Sequence, residues 1–128
     1  MTDSYQLYPL DCITGAQRYI VDNSIDLIIT DPPYGIKADN FDRHYHRQQD
    51  TIIGGYIEVP KEQYSSFSKS WIMEAERVLR PGGSIYIISG YSNLADILNA
   101  LKLTNLDEKN HIIWKYNFGV HTKKKYIS

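Results

Sequence analysis

The stretch Ile25-Asp26-Leu27-Ile28-Ile29-Thr30-Asp31-Pro32-Pro33-Tyr34 (IDLIITDPPY) decides how the rest of the chain is read. Its first six residues form a short apolar run rich in isoleucine, the composition of a parallel strand buried on both faces. Two consecutive prolines then follow. Proline has no N–H and a fixed φ, so a hydrogen-bonded ladder cannot run through them. The strand is therefore expected to end at Asp31 and to open into a stiff loop.

Working outward, residues 35–60 are polar, irregular and glycine-containing, and read as a long mobile loop. A helix is expected from about Pro60 to Leu79, because Tyr64, Phe67, Trp71, Ile72, Ala75, Val78 and Leu79 recur at helical spacing and a proline is tolerated at a helix start. Arg80-Pro81-Gly82-Gly83 is read as the stop and turn after it. Ser84 to Ser89 (SIYIIS) reads as a second buried strand. Asn93 to Leu103 reads as an amphipathic helix, and His111 to Phe118 (HIIWKYNF) as a third strand. On the N-terminal side, Ile13 to Val21 suits a short helix, and Tyr5 to Leu10 a weak strand. Strands alternating with helices at this spacing predict an α/β fold with a mostly parallel sheet and flanking helices. Ligands bind such sheets beyond the carboxyl ends of strands. Two strand ends therefore matter, Asp31 to Tyr34 and Ser89 to Asn93.

Composition narrows the function classes. A length of 128 residues suits one domain, and 42% hydrophobic residues suffice for a core. The net charge of −1 excludes a chain that is polyanion-binding over its whole surface. Its C-terminal end is locally basic, with Lys109, Lys115, Lys123, Lys124 and Lys125 and no acid from residue 109 onward. The single cysteine, Cys12, forms no intramolecular disulfide and belongs to no metal-spaced Cys/His set, which fits a reducing cytoplasm. It is expected to be a small buried residue. No apolar run reaches the roughly 18–20 residues of a membrane span, and the N-terminus lacks the regions of a secretory leader. No metal is expected. His44 and His46 stand two apart without a third ligand nearby.

The Asp31 to Tyr34 loop carries the chemistry. Two prolines remove two donors, so the backbone offers carbonyl acceptors there, and an ionised Asp31 is acceptor-only. The natural partner of such a cluster is a group with two N–H donors, such as the exocyclic amine of adenine or cytosine. Tyr34 supplies a flat face for an unstacked base. An aryl amine is a poor nucleophile because its lone pair is delocalised into the ring. Holding both hydrogens, one on Asp31 and one on the Pro32 carbonyl, favours a more tetrahedral nitrogen. The developing positive charge is then stabilised by Asp31.

On these residues the chain resembles the DNA amino-methyltransferases acting on adenine N6 or cytosine N4, and within them the permuted β class. Further segments match: Leu10-Asp11-Cys12 before a short helix, Val78-Leu79-Arg80-Pro81-Gly82-Gly83 before a strand, Ser89-Gly90-Tyr91-Ser92-Asn93 beside the pocket, and Ile112-Ile113-Trp114-Lys115. The resemblance implies a Rossmann-like S-adenosylmethionine-dependent methyltransferase fold and a catalytic loop of Asp31, Pro32, Pro33 and Tyr34. Asp11, Cys12 and Asp31 become candidate cofactor contacts, although an aspartate before a helix is equally an ordinary N-cap. The substrate implied is double-stranded DNA with a flipped target base, and the setting a bacterial or phage-type, nucleoid-associated cytoplasmic enzyme of restriction–modification. Aspartate rather than serine at position 31 favours adenine N6, with cytosine N4 as the alternative. Arg43, Arg47, Lys123, Lys124 and Lys125 are candidate DNA contacts, with solvated surface as the ordinary alternative.

One departure stands out. The glycine turn that cradles the methionine part of the cofactor (Phe-x-Gly-x-Gly in type) does not occur, nor does a target-recognition region follow. Residues 1–128 are thus expected to form a partial catalytic domain, the catalytic half of the sheet. In the family's sheet, two strands from the other half lie between the strand ending near Asp11 and the one ending at Asp31. A gap is therefore expected, filled by a homodimer partner or by a C-terminal part. A truncated, inactive fragment that binds nucleic acid is the competing expectation.

Overall fold

A computed structural model describes residues 4–35 and 59–115. Five regular elements follow in order: α1 (Cys12–Tyr19), β1 (Ile25–Thr30), α2 (Lys61–Val78), β2 (Leu79–Ile87) and α3 (Leu94–Leu101), with a 3-10 turn at Tyr91–Asn93 before α3. Strands β1 and β2 pair in parallel, with Leu27 opposite Ser84, Ile28 opposite Ile85, Ile29 opposite Tyr86 and Thr30 opposite Ile87. Parallel neighbours need a crossover, and α2 lies within it. This is a small parallel sheet with flanking helices, the expected α/β architecture in partial, Rossmann-like form.

Helix α2 organises the core. Tyr64, Ser68, Trp71, Ile72, Ala75 and Val78 are its buried residues, a stripe at three-, four- and one-residue steps that keeps one face inward. Ile97 and Ala100 of α3 close on this stripe, and Ile13, Ile28, Ile85 and Ile87 pack against it from α1 and the sheet. The aromatic residues Tyr64 and Trp71 are core residues, as their spacing predicts. Arg77 fastens α1 to α2. Its guanidinium donates to the carbonyls of Ala16 and Ile20 at 3.1 Å and pairs with Glu74 and Asp22. These carboxylates, Glu74 foremost, hold it above the usual guanidinium range.

The sheet has one covered face. Leu27, Ile29, Tyr86 and Ile88 stand on the other, between 43% and 70% exposed. The expectation of strands buried on both faces is therefore not met among the described residues, whose helices all cover one face. A hollow of about 190 Å³ lies where α1, β1 and α2 meet, lined by Cys12, Ala16, Thr30 and Trp71 among others.

Four further expectations are corrected. Tyr5 to Leu10 is not a strand. Tyr5 and Leu7 are exposed and the segment has no regular structure, because a strand exists only with a neighbour to pair with and none lies beside it among the described residues. Residues 111–115 form no strand for the same reason, and 116–118 lie outside the described residues. Arg80-Pro81-Gly82-Gly83 is not a turn preceding the strand but part of β2, which starts at Leu79 opposite Ile25. The register shifts between Ile25 and Leu27, so this segment bulges out of the ladder. Gly83 suits that bulge, since a Cβ there would stand 2.9 Å from Leu79 Cδ2 and 3.1 Å from the Asp26 carbonyl. Finally, Cys12 is exposed rather than buried. It sits in the first turn of α1 at the rim of the hollow, where partial burial and the neighbouring Asp11 push its thiol above the usual range.

Candidate active site

The site is built where the ladder stops. Thr30, the last residue of β1, accepts a hydrogen bond at its carbonyl from the Ile88 N–H at 2.9 Å. Pro32 and Pro33 cannot extend the pairing, so the chain leaves the sheet. Asp31 is exposed, Pro32 is buried, and Pro33 and Tyr34 are half-buried. The loop thus grips the body of the protein through Pro32 and presents a carboxylate to solvent.

Tyr34 folds back over this loop. Its hydroxyl donates to Asp31 Oδ1 at 2.7 Å. The other side of the ring rests near Gly90, whose missing Cβ would stand 3.8 Å from Tyr34 Cγ. The segment after β2, Ser89 to Asn93, is therefore a wall of the same site. The two strand ends singled out in the sequence stand together. Asp31 uses one oxygen for the phenol, which leaves its second oxygen as an acceptor for an entering donor.

Beyond Tyr34, the chain is pressed against the protein. Gly35 is buried with φ +66°. A Cβ on it would lie 2.5 Å from Tyr64 Cδ2 and 2.9 Å from Asn93 Nδ2. Asn93 is 6% exposed, and its side-chain amide donates to the carbonyl of Tyr34. Sequence reasoning placed Asn93 beside the pocket and Tyr64 in the core, but missed that both hold the loop. The only local signal is the glycine immediately after Asp-Pro-Pro-Tyr.

Asp11 stands at the start of α1 as its N-cap, with Oδ1 accepting from the Thr14 N–H at 3.0 Å. Cys12 and Thr30 line the same hollow, so the start of α1 and the end of β1 lie on one side of the sheet. Asp11 directly precedes Cys12 and Asp31 directly follows Thr30, so both adjoin that hollow along the chain. Arg43, Arg47, His44, His46, Lys123, Lys124 and Lys125 lie outside the described residues. No helix among the described residues is long and apolar enough to cross a membrane.

The chain is 33% identical over 112 residues to the type II methyltransferase M.HpaI of Haemophilus parainfluenzae, covering 87% of this chain and 32% of that protein. It is 28% identical over 113 residues to the type II methyltransferase M2.MboI of Moraxella bovis, covering 88% of this chain and 41% of that protein. The chain therefore spans about a third to two-fifths of the length of these relatives. The family model of the DNA methylases of N6/N4 type matches residues 25–128, from the first residue of β1 through the loop, α2 and β2 to the C-terminal end, and the chain belongs to that family of DNA amino-methyltransferases.

Proposed function

We propose that the chain is the catalytic portion of an S-adenosylmethionine-dependent DNA methyltransferase that modifies the N6 amino group of adenine in duplex DNA. A restriction–modification setting follows from the type II relatives. Action on DNA associates the protein with a bacterial or phage nucleoid in the cytoplasm. The observation that carries the proposal is the exposed Asp31 on a proline-stiffened loop, closed by the Tyr34 ring at a strand's carboxyl end.

In this reading, Tyr34 receives the face of the flipped base. Its hydroxyl, now on Asp31, yields or shares that carboxylate as the base enters. Asp31 accepts one amine hydrogen and the Pro32 carbonyl the other, which aims the nitrogen lone pair away from both. Asp31 also stabilises the positive charge that grows on nitrogen, a preorganised electrostatic effect that costs no reorganisation during reaction. The extra amine proton leaves to solvent afterwards. S-adenosylmethionine, when bound, supplies a methyl carbon on a positively charged sulfur that departs as a neutral thioether. Asp11, Cys12 and Asp31 fit one flank of that cofactor, and Asp11 keeps acceptor capacity beyond its cap bond. The glycine turn for the methionine part is not among the residues of this chain.

The bare face of Leu27, Ile29, Tyr86 and Ile88 supports its being covered by a C-terminal portion or a second copy. The lack of that glycine turn in these residues favours one competing reading, an inactive portion that binds nucleic acid only. Tritiated S-adenosylmethionine and mixed duplex DNA, given to the chain alone and with a C-terminal portion supplied, separate the two. Label in N6-methyladenine supports the proposal, and label in N4-methylcytosine changes the target base. DNA binding with no transfer under either condition supports the binding-only reading.

A further inference from the structure

We propose that Asn93 is the positioning residue for transfer, its side-chain amide fixing the Tyr34 carbonyl and with it the height of the Asp31–Tyr34 loop. The proposal rests on the functional reading given above. Three observations carry it.

First, the loop is anchored at both ends by different means. Its N-terminal end is tied by the Ile88 N–H to the Thr30 carbonyl. Past that point Pro32 and Pro33 have no N–H to give, so the backbone ladder does not run on through them. Asn93 takes over with a side-chain donor, bonding the Tyr34 carbonyl across 59 positions of sequence. A carbonyl only accepts, so the amide nitrogen must face it.

Second, Asn93 gives up its ordinary use. It occupies the N-cap position of α3, where asparagine is among the preferred residues and normally bonds a backbone N–H of its own helix. Here it makes no such cap bond. Its amide is committed to Tyr34 instead.

Third, the fit is close. Asn93 is 6% exposed and Tyr64 1% exposed, and Gly35 lies against both with no room for a Cβ. Together they form a floor on which the end of the loop rests. Asn93 does not meet the base. It acts through the loop, by setting where Asp31 and the Pro32 carbonyl stand.

The test uses Asn93→Leu, which keeps the approximate size without a donor, and Asn93→Ala, in the form of the protein that transfers methyl groups. Displacing a reacting group by about 1 Å can cost on the order of 10²-fold. We therefore expect kcat to fall by about ten- to a hundredfold while KM for DNA stays within about twofold. A residue serving only the fold would lower the folded fraction and leave kcat per folded molecule unchanged. Folded variants with wild-type kcat would overturn the role of Asn93 while leaving the functional reading intact. Absence of transfer by the wild-type protein in every form would overturn that reading, and the role with it. If both variants unfold, hydrogen exchange of the Asn93 side-chain amide in the wild-type protein decides. Protection from exchange supports the anchor, and exchange at the rate of a free amide overturns it.

Discussion

Gly35→Ala is the substitution that probes the loop floor most sharply. Gly35 has φ +66°, where an L-residue with a Cβ is disfavoured by about 1–2 kcal/mol. The added methyl would also stand 2.5 Å and 2.8 Å from Tyr64 Cδ2 and Cγ and 2.9 Å from Asn93 Nδ2, contacts that real Cβ atoms do not make. Tyr64 is 1% exposed, with the Phe67 ring 6.1 Å away, so it has little room to retreat. Overpacking of this kind costs about 1–3 kcal/mol. The two effects sum to roughly 2–5 kcal/mol, a large part of a domain stability of about 5–15 kcal/mol. The strain is most easily relieved by lifting the loop, which has solvent on its Asp31 side. Urea unfolding should therefore show destabilisation at the low end of that range, with single-turnover methyl transfer falling by about 10²-fold. A variant within about 0.5 kcal/mol of wild type with unchanged transfer would refute the close approach of Gly35 to Tyr64 and Asn93.

Other substitutions separate the roles of neighbouring residues. Tyr34→Phe removes the hydroxyl from Asp31 but keeps the ring, and transfer should stay within about tenfold. Tyr34→Ala removes the ring as well and should weaken capture of a flipped base by about 1–3 kcal/mol, read as the fluorescence of a 2-aminopurine target. Ile72, at 0% exposure on the buried face of α2, should cost about 2–5 kcal/mol when replaced by alanine, measured by chemical denaturation, without a specific change in kcat. Burial and the neighbouring Asp11 raise the Cys12 thiol, so iodoacetamide should react more slowly with it than with an unperturbed thiol at the same pH. The sign for stability follows: the folded state holds the proton more tightly, so the contribution is present below the ordinary thiol pKa. It is lost as pH rises through the folded value.

Much of the site was legible because its signals are local. An isoleucine-rich run cut by two prolines gives both the strand and its end, and β1 stops at Thr30. The helical stripe from Tyr64 to Val78 gives α2. What was not legible depends on distant partners. Tyr5 to Leu10 has apolar residues enough for a strand, but pairing needs a neighbour that the described residues do not provide. Pro81-Gly82-Gly83 carries the composition of a turn, and only the start of pairing at Leu79 opposite Ile25 makes it a bulge within β2. Asn93 was the hardest to read, because a side-chain bond to a carbonyl 59 residues away leaves no periodic trace.

The central claim is that Asp31 is an acceptor for the target amine and a counter-charge in the transition state. Single-turnover transfer from S-adenosylmethionine to duplex DNA by Asp31→Ala, with DNA affinity measured in parallel, tests it most directly. Transfer should fall by at least about 10²–10³-fold, the scale for loss of one preorganised electrostatic partner, while DNA affinity stays within roughly threefold. Transfer at the wild-type rate by the folded Asp31→Ala protein would contradict the claim.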